Sequence, residues 1–196
     1  MGTRATPRWE EGRYLKPRRV IFLNGPPGSG KDTIGKMLSN QGYGELRSFK
    51  KRLIDIALLV SGVGAEAWHD RYENRELKET PWDALGGLSQ REYLIRISEE
   101  WVKPTHGNDY FGKAALDSCW GHKDYVFTDS GFKDEVLPFL DAGFEVHVVR
   151  LHREGFNYTG DSRSYLSNVN GADCWDVTLV DGAPEMAVDI IKMAIC

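Results

Sequence analysis

Cysteine is scarce. Cys119, Cys174 and Cys196 are odd in number and far apart, so they make neither a disulfide framework nor a thiolate metal site. The histidines, His69, His106, His122, His147 and His152, lack metal-ligand spacing as well. No apolar run reaches the roughly 18 residues that a membrane span needs. Excess basic charge is missing too: the net charge is −4, which excludes a global electrostatic footprint for nucleic acid but not a local one. The segment 1–19 carries Arg4, Arg8, Arg13, Lys16, Arg18 and Arg19 without an apolar stretch, and reads as a basic arm rather than a secretory signal. A reducing, cytoplasmic setting is the expectation.

What is abundant is glycine, and its placement matters most in one stretch, Val20-Ile-Phe-Leu-Asn-Gly-Pro-Pro-Gly-Ser-Gly-Lys-Asp-Thr33. A buried strand, Val20 to Asn24, enters a glycine-rich turn, and Ile34, Met37 and Leu38 continue at helical spacing. Strand, turn and helix are the context in which such a turn binds phosphate. Gly25, Gly28 and Gly30 free the backbone to aim N–H groups inward, with Pro26, Pro27 and Ser29 completing the turn. Lys31 adds a point charge, and the helix N-terminus adds its partial positive charge. A hydroxyl normally follows the lysine to meet Mg²⁺, but here Asp32 intervenes and Thr33 comes one place later.

Further along, Arg47, Lys50, Lys51 and Arg52 cluster, and the apolar run Leu53 to Val60 reads as a buried helix. From Gly62 to Leu88 no period is clear. Ser89 reads as the N-cap of a helix over Gln90 to Val102, ended by Pro104, with Trp101 on its apolar face. The segment Tyr110 to Trp120 reads as helical. Strands are expected at Tyr125–Thr128, Glu145–Arg150 and Asp176–Val180, and helices at Phe132–Leu140 and Pro184–Ile195, with a polar loop at 151–170. Alternating strands and helices imply an α/β fold, a parallel sheet covered on both faces. Ligands then bind where strands end, which brings Gly25, Asp129 and Arg150 toward one cleft.

The chain resembles the P-loop nucleotide kinases, and within them the phage-type deoxynucleoside monophosphate kinases. The loop Gly25 to Thr33 is similar to their GKDT variant. Ser48-Phe49 followed by Leu53, and Ser89-Gln-Arg91 to Trp101, resemble their acceptor regions. Phe127-Thr-Asp-Ser-Gly-Phe132 stands where that family carries Thr-Asp-x-Arg-Phe, so Gly131 replaces an arginine that would hold the acceptor's phosphate. The resemblance implies a three-layer P-loop kinase fold: a five-stranded, mainly parallel sheet, one domain over 20–196, an acceptor insertion at about 43–120 and a lid at about 151–170. It also implies ATP and Mg²⁺.

With Asp129 kept and the arginine gone, the chain also resembles phage kinases that phosphorylate 5-hydroxymethyluracil in DNA, whose acceptor is a primary alcohol. A free deoxynucleoside monophosphate is the alternative acceptor, ATP hydrolysis alone the third reading, and a homodimer is compatible with each. In this reading Lys31 follows the transferring phosphoryl group, and Thr33 contacts phosphate or Mg²⁺. Asp129 serves as base or metal partner. Arg153 and Arg163 close over the triphosphate, while Arg47, Lys50, Arg91 and Arg150 hold the acceptor, with Lys51, Arg52, Arg71, Arg75 and Arg96 extending the basic face. Trp68, Trp82, Tyr72 and Trp101 offer faces for an extruded base.

Overall fold

The computed structural model describes residues 17–74 and 76–195. Most of the basic arm, Arg75 and Cys196 therefore lie outside the described residues. Five strands form one parallel sheet in the order β2-β3-β1-β4-β5: β1 Arg19–Asn24, β2 Glu45–Arg47, β3 Tyr125–Ser130, β4 Glu145–His152 and β5 Asp173–Thr178. Central β1 is buried from Val20 onward, as expected for a strand covered on both faces.

Helices α1 (Lys31–Asn40) and α8 (Pro184–Ile195) cover one face, where Ile34, Leu38, Val188 and Ile191 pack on Ile21, Leu23 and Val149. On the other face α6 (Tyr110–Asp117) and α7 (Lys133–Asp141) cover a cluster centred on Phe22, Phe127 and Phe139. The rings of Phe22 and Phe139 meet edge-on at 5.2 Å.

Between β2 and β3 a helical lobe carries its own core of Ala57, Trp68, Leu85, Leu94, Ile97, Val102 and Phe111. It comprises α2 (Lys50–Ser61), α3 (Ala65–Glu73), α4 (Gln90–Arg96), a π-helical turn (Ile97–Val102) and α5 (Lys103–His106), followed by α6. β2 belongs to the sheet, so the lobe begins after it.

Several expectations need correction. The Leu53–Val60 run is helical, but only Ala57 of α2 is fully buried and Leu59 is 82% exposed. Pro104 does not end its helix. The wider π turn comes just before it, where a proline ring would otherwise press on the carbonyl one turn back, and the helix runs on to His106. Trp101 is exposed rather than core. Trp68 is fully buried within the lobe and presents no face to a base.

Candidate active site

The glycine-rich turn lies at the carboxyl end of β1. Its left-handed residues are Gly28 (φ 79°) and Gly30 (φ 99°), where a side chain would be strained. Gly25 is required for a different reason. A Cβ there would lie 2.9 Å from the Leu151 carbonyl oxygen, so the end of β4 closes directly on the turn.

Lys31 is buried and folds back over the turn, its Nζ donating to the carbonyls of Gly25 (2.6 Å) and Pro26 (2.7 Å). Burial is the main reason its pKa falls to about 8, with the Arg163 and Lys50 charges adding to the effect and Asp32 opposing it. Three cations thus converge where a polyphosphate would bring negative charge.

A cavity of about 490 Å³ joins the turn to the helical lobe. Pro27, Gly28, Lys31 and Asp32 line its donor end, while Thr128, Asp129 and Glu135 lie at the ends of β3 and α7. Lys50, Arg91 and the apolar side chains Leu53, Leu94, Ile95 and Phe111 form the lobe side, with Phe49 and Phe132 at its junction with the sheet. Apolar side chains interspersed with charged ones such as Arg91, Glu99 and Lys103 suit a polar organic acceptor.

Asp129 is buried and already used. Its Oδ2 accepts from Ser48 Oγ (2.6 Å) and Lys50 N (3.1 Å), and its Oδ1 from Phe49 N (3.2 Å). It therefore caps the start of α2, an element 80 residues earlier, and joins the lobe to the sheet. Asp32 has one oxygen engaged, Oδ1, which accepts from Thr128 Oγ1 at 2.6 Å.

Among the described residues no group of three or more acidic, His or Cys side chains is arranged to hold a metal alone. A magnesium ion carried on phosphates keeps several waters and needs only one or two carboxylates. Asp32, beside Lys31 on the cavity wall and with no donor to Oδ2 among the described residues, is the residue that fits. The ion would neutralise charge on the β- and γ-phosphates. Thr33 is exposed and does not line the cavity.

The two lid arginines differ. Arg153 lies over the turn, donating to the Gly28 carbonyl (3.2 Å) and to Asp181 (2.7 Å). Arg163 lines the cavity and is held by the nearly inaccessible Asp161 through Nε (2.9 Å) and a second nitrogen (2.7 Å). These hydrogen bonds bring the Asp161 pKa down to about 2. Arg91 of α4 approaches the same carboxylate at 3.6 Å, so the 151–170 loop bridges to the lobe. Asn24, last residue of β1, anchors that loop by donating to the Ser164 carbonyl (3.1 Å) and accepting from Leu166 N (2.8 Å).

Two of the expected acceptor residues, Lys50 and Arg91, line the cavity; two do not. Arg150 forms a two-pronged pair with Asp176 on β5 (2.9 and 2.5 Å), and Arg47 pairs with Glu45 (2.6 Å) over the Tyr125 ring. Of the aromatic candidates only Tyr72 lines the cavity. Glu135 escaped sequence reasoning altogether. With Phe132 at the N-cap there is no capping-box pattern to draw attention to it, yet its carboxylate accepts from Gly131 N and Phe132 N and lines the cavity.

No family model matches the chain, and no curated protein matches it. Among solved structures it is similar to a sugar kinase from Janibacter sp. HTCC2649 (16% identity, TM-score 0.48, covering 91% of this chain and 95% of that one). Shikimate kinase from Aquifex aeolicus is similar too (16%, 0.46, 90% and 95%), as is a gluconokinase from Sinorhizobium meliloti 1021 (11%, 0.45, 91% and 95%). At these scores the likenesses carry no functional weight.

Proposed function

We propose that this chain is an ATP-dependent kinase that transfers the γ-phosphoryl group to an alcohol, the hydroxymethyl group of 5-hydroxymethyluracil in DNA. The observation that carries the reading is that one cavity is lined both by the Lys31 cradle and by the carboxylates of Asp129 and Glu135. Phosphoryl transfer needs positioning and charge neutralisation at the donor, and an alcohol acceptor also needs somewhere for its proton to go. Lys31 and Arg163 supply charge, Arg153 covers the turn, and Lys50 and Arg91 meet the acceptor's own phosphates. Adenine recognition is taken from the family resemblance, because a phosphate cradle does not read the base.

One observation favours the alternative, a deoxynucleoside monophosphate kinase. The space of a side chain at position 131 is filled by Arg163, so a guanidinium stands in this region although residue 131 is glycine. An arginine there would suit a phosphate acceptor. Incubation with γ-labelled ATP and separate acceptors decides between them. Label in 5-hydroxymethyluracil DNA supports the first reading and label in small diphosphates the second. Release of inorganic phosphate alone would reject both.

A further inference from the structure

We infer that Glu135, not Asp129, takes the proton from the acceptor hydroxyl. The inference rests on the kinase reading above and adds that the acceptor is an alcohol. Asp129 has three donors on its two oxygens, all from the start of α2. Glu135 is arranged differently. Its Oε2 accepts both backbone donors at the strand–helix junction, Gly131 N (2.9 Å) and Phe132 N (3.1 Å), while Oε1 has no donor among the described residues and the side chain lines the cavity. One oxygen fixes the carboxyl group and the other is available.

The charged groups around it are Asp129 from β3, Lys103 from α5, which is paired with Glu99 (2.5 Å), the adjacent Asp134, and Arg163 with Asp161 across the cavity. Burial, reinforced by Asp129, raises the Glu135 pKa to about 7 against the pull of the two backbone donors and Lys103. A base with that affinity takes a proton at neutral pH and returns it to solvent afterwards. In the step, the acceptor O–H bond breaks and its proton goes to Oε1. The acceptor oxygen bonds to the γ-phosphorus, and the bond from that phosphorus to the β,γ-bridging oxygen breaks to release ADP.

The test compares wild type with Glu135→Gln and Glu135→Asp, using ATP and DNA containing 5-hydroxymethyluracil. Glutamine can still accept from Gly131 and Phe132 and removes a buried charge, so the melting temperature and ATP binding are expected to hold. Transfer should fall about 100-fold or more, the usual scale for loss of a general base. The wild-type pH profile should rise through an inflection near 7 that disappears in Glu135→Gln and survives in Glu135→Asp. Full transfer in Glu135→Gln, or an unchanged inflection, overturns the inference and leaves the kinase reading standing. Transfer to monophosphates only, with Glu135→Gln indifferent, overturns it as well. Wild type that phosphorylates nothing rejects both together.

Discussion

Gly131 and Arg163 share one space. A Cβ at position 131 would sit 2.4 Å from Arg163 Cγ, 2.5 Å from its Cδ and 2.7 Å from its Cβ. Even the root of the arginine side chain is in the way, so rotation of its far end cannot relieve the clash. Gly131→Ala should therefore move Arg163 out of the cavity, costing about 1–3 kcal/mol of stability by overpacking. Turnover with saturating ATP should fall about tenfold or more, because small displacements of a positioning charge cost rate steeply. Thermal melts and kcat for the variant check both; unchanged kcat would remove Arg163 from the reaction.

Lys31 gives a prediction with a definite sign. Its pKa is lowered to about 8, below the unfolded value, so between pH 8 and 10.5 the unfolded chain binds more protons and this group's contribution to stability rises with pH. Nucleotide works in the opposite direction. An arriving polyphosphate restores the lysine's preference for charge, so binding above pH 8 takes up a proton and affinity should fall as pH rises. Calorimetric titration of ATP in buffers of different ionisation enthalpy measures that uptake, which Lys31→Met should abolish.

Asp129 is expected to matter for folding as much as for turnover. Asp129→Ala removes the acceptor for Ser48 and for two backbone donors of α2, and should cost about 1–3 kcal/mol, the range for orphaned buried donors. Ser48→Ala should cost about 1 kcal/mol. Because both changes break one network, the double variant should be less destabilised than the sum, and chemical denaturation of the four proteins tests this.

The Asp161 carboxylate ties the loop to the cavity. Its lowered pKa means that its stabilising effect is present above about pH 4 and is lost only as the pH falls toward 2, so the tie holds at neutral pH. Asp161→Asn weakens both arginine contacts at once. Limited proteolysis should cut the variant faster between Gly155 and Gly160, and its KM for ATP should rise.

The parts legible in the sequence are those whose physics is local. The strand from Val20 to Asn24, the glycine turn and the helix after Lys31 each follow from neighbours within a few positions. The helical cap at Ser89 does too, since Ser89 Oγ accepts from Glu92 N while the Glu92 carboxylate accepts from Ser89 N. Long-range partners were not legible. Nothing near Asp129 in sequence announces that it caps α2, and nothing near Gly131 announces Arg163. Helix α3 was missed because Trp68 is its only fully buried residue, too sparse a pattern for a period. β5 begins three residues earlier than expected; it lies at the sheet edge, with Asp173, Trp175 and Asp176 exposed and only Val177 fully buried, so it lacks the continuous apolar run of a central strand.

The order of the sheet separates what must stay from what can change. The donor cradle is built from β1, α1 and the end of β4, elements locked in the middle of the molecule, whereas most of the acceptor wall hangs from a single excursion between an edge strand and its neighbour. That excursion has its own apolar centre and is fastened to the sheet through Asp129. If the proposed activity holds, replacing this one appendage would retune what is accepted without disturbing the grip on the nucleotide.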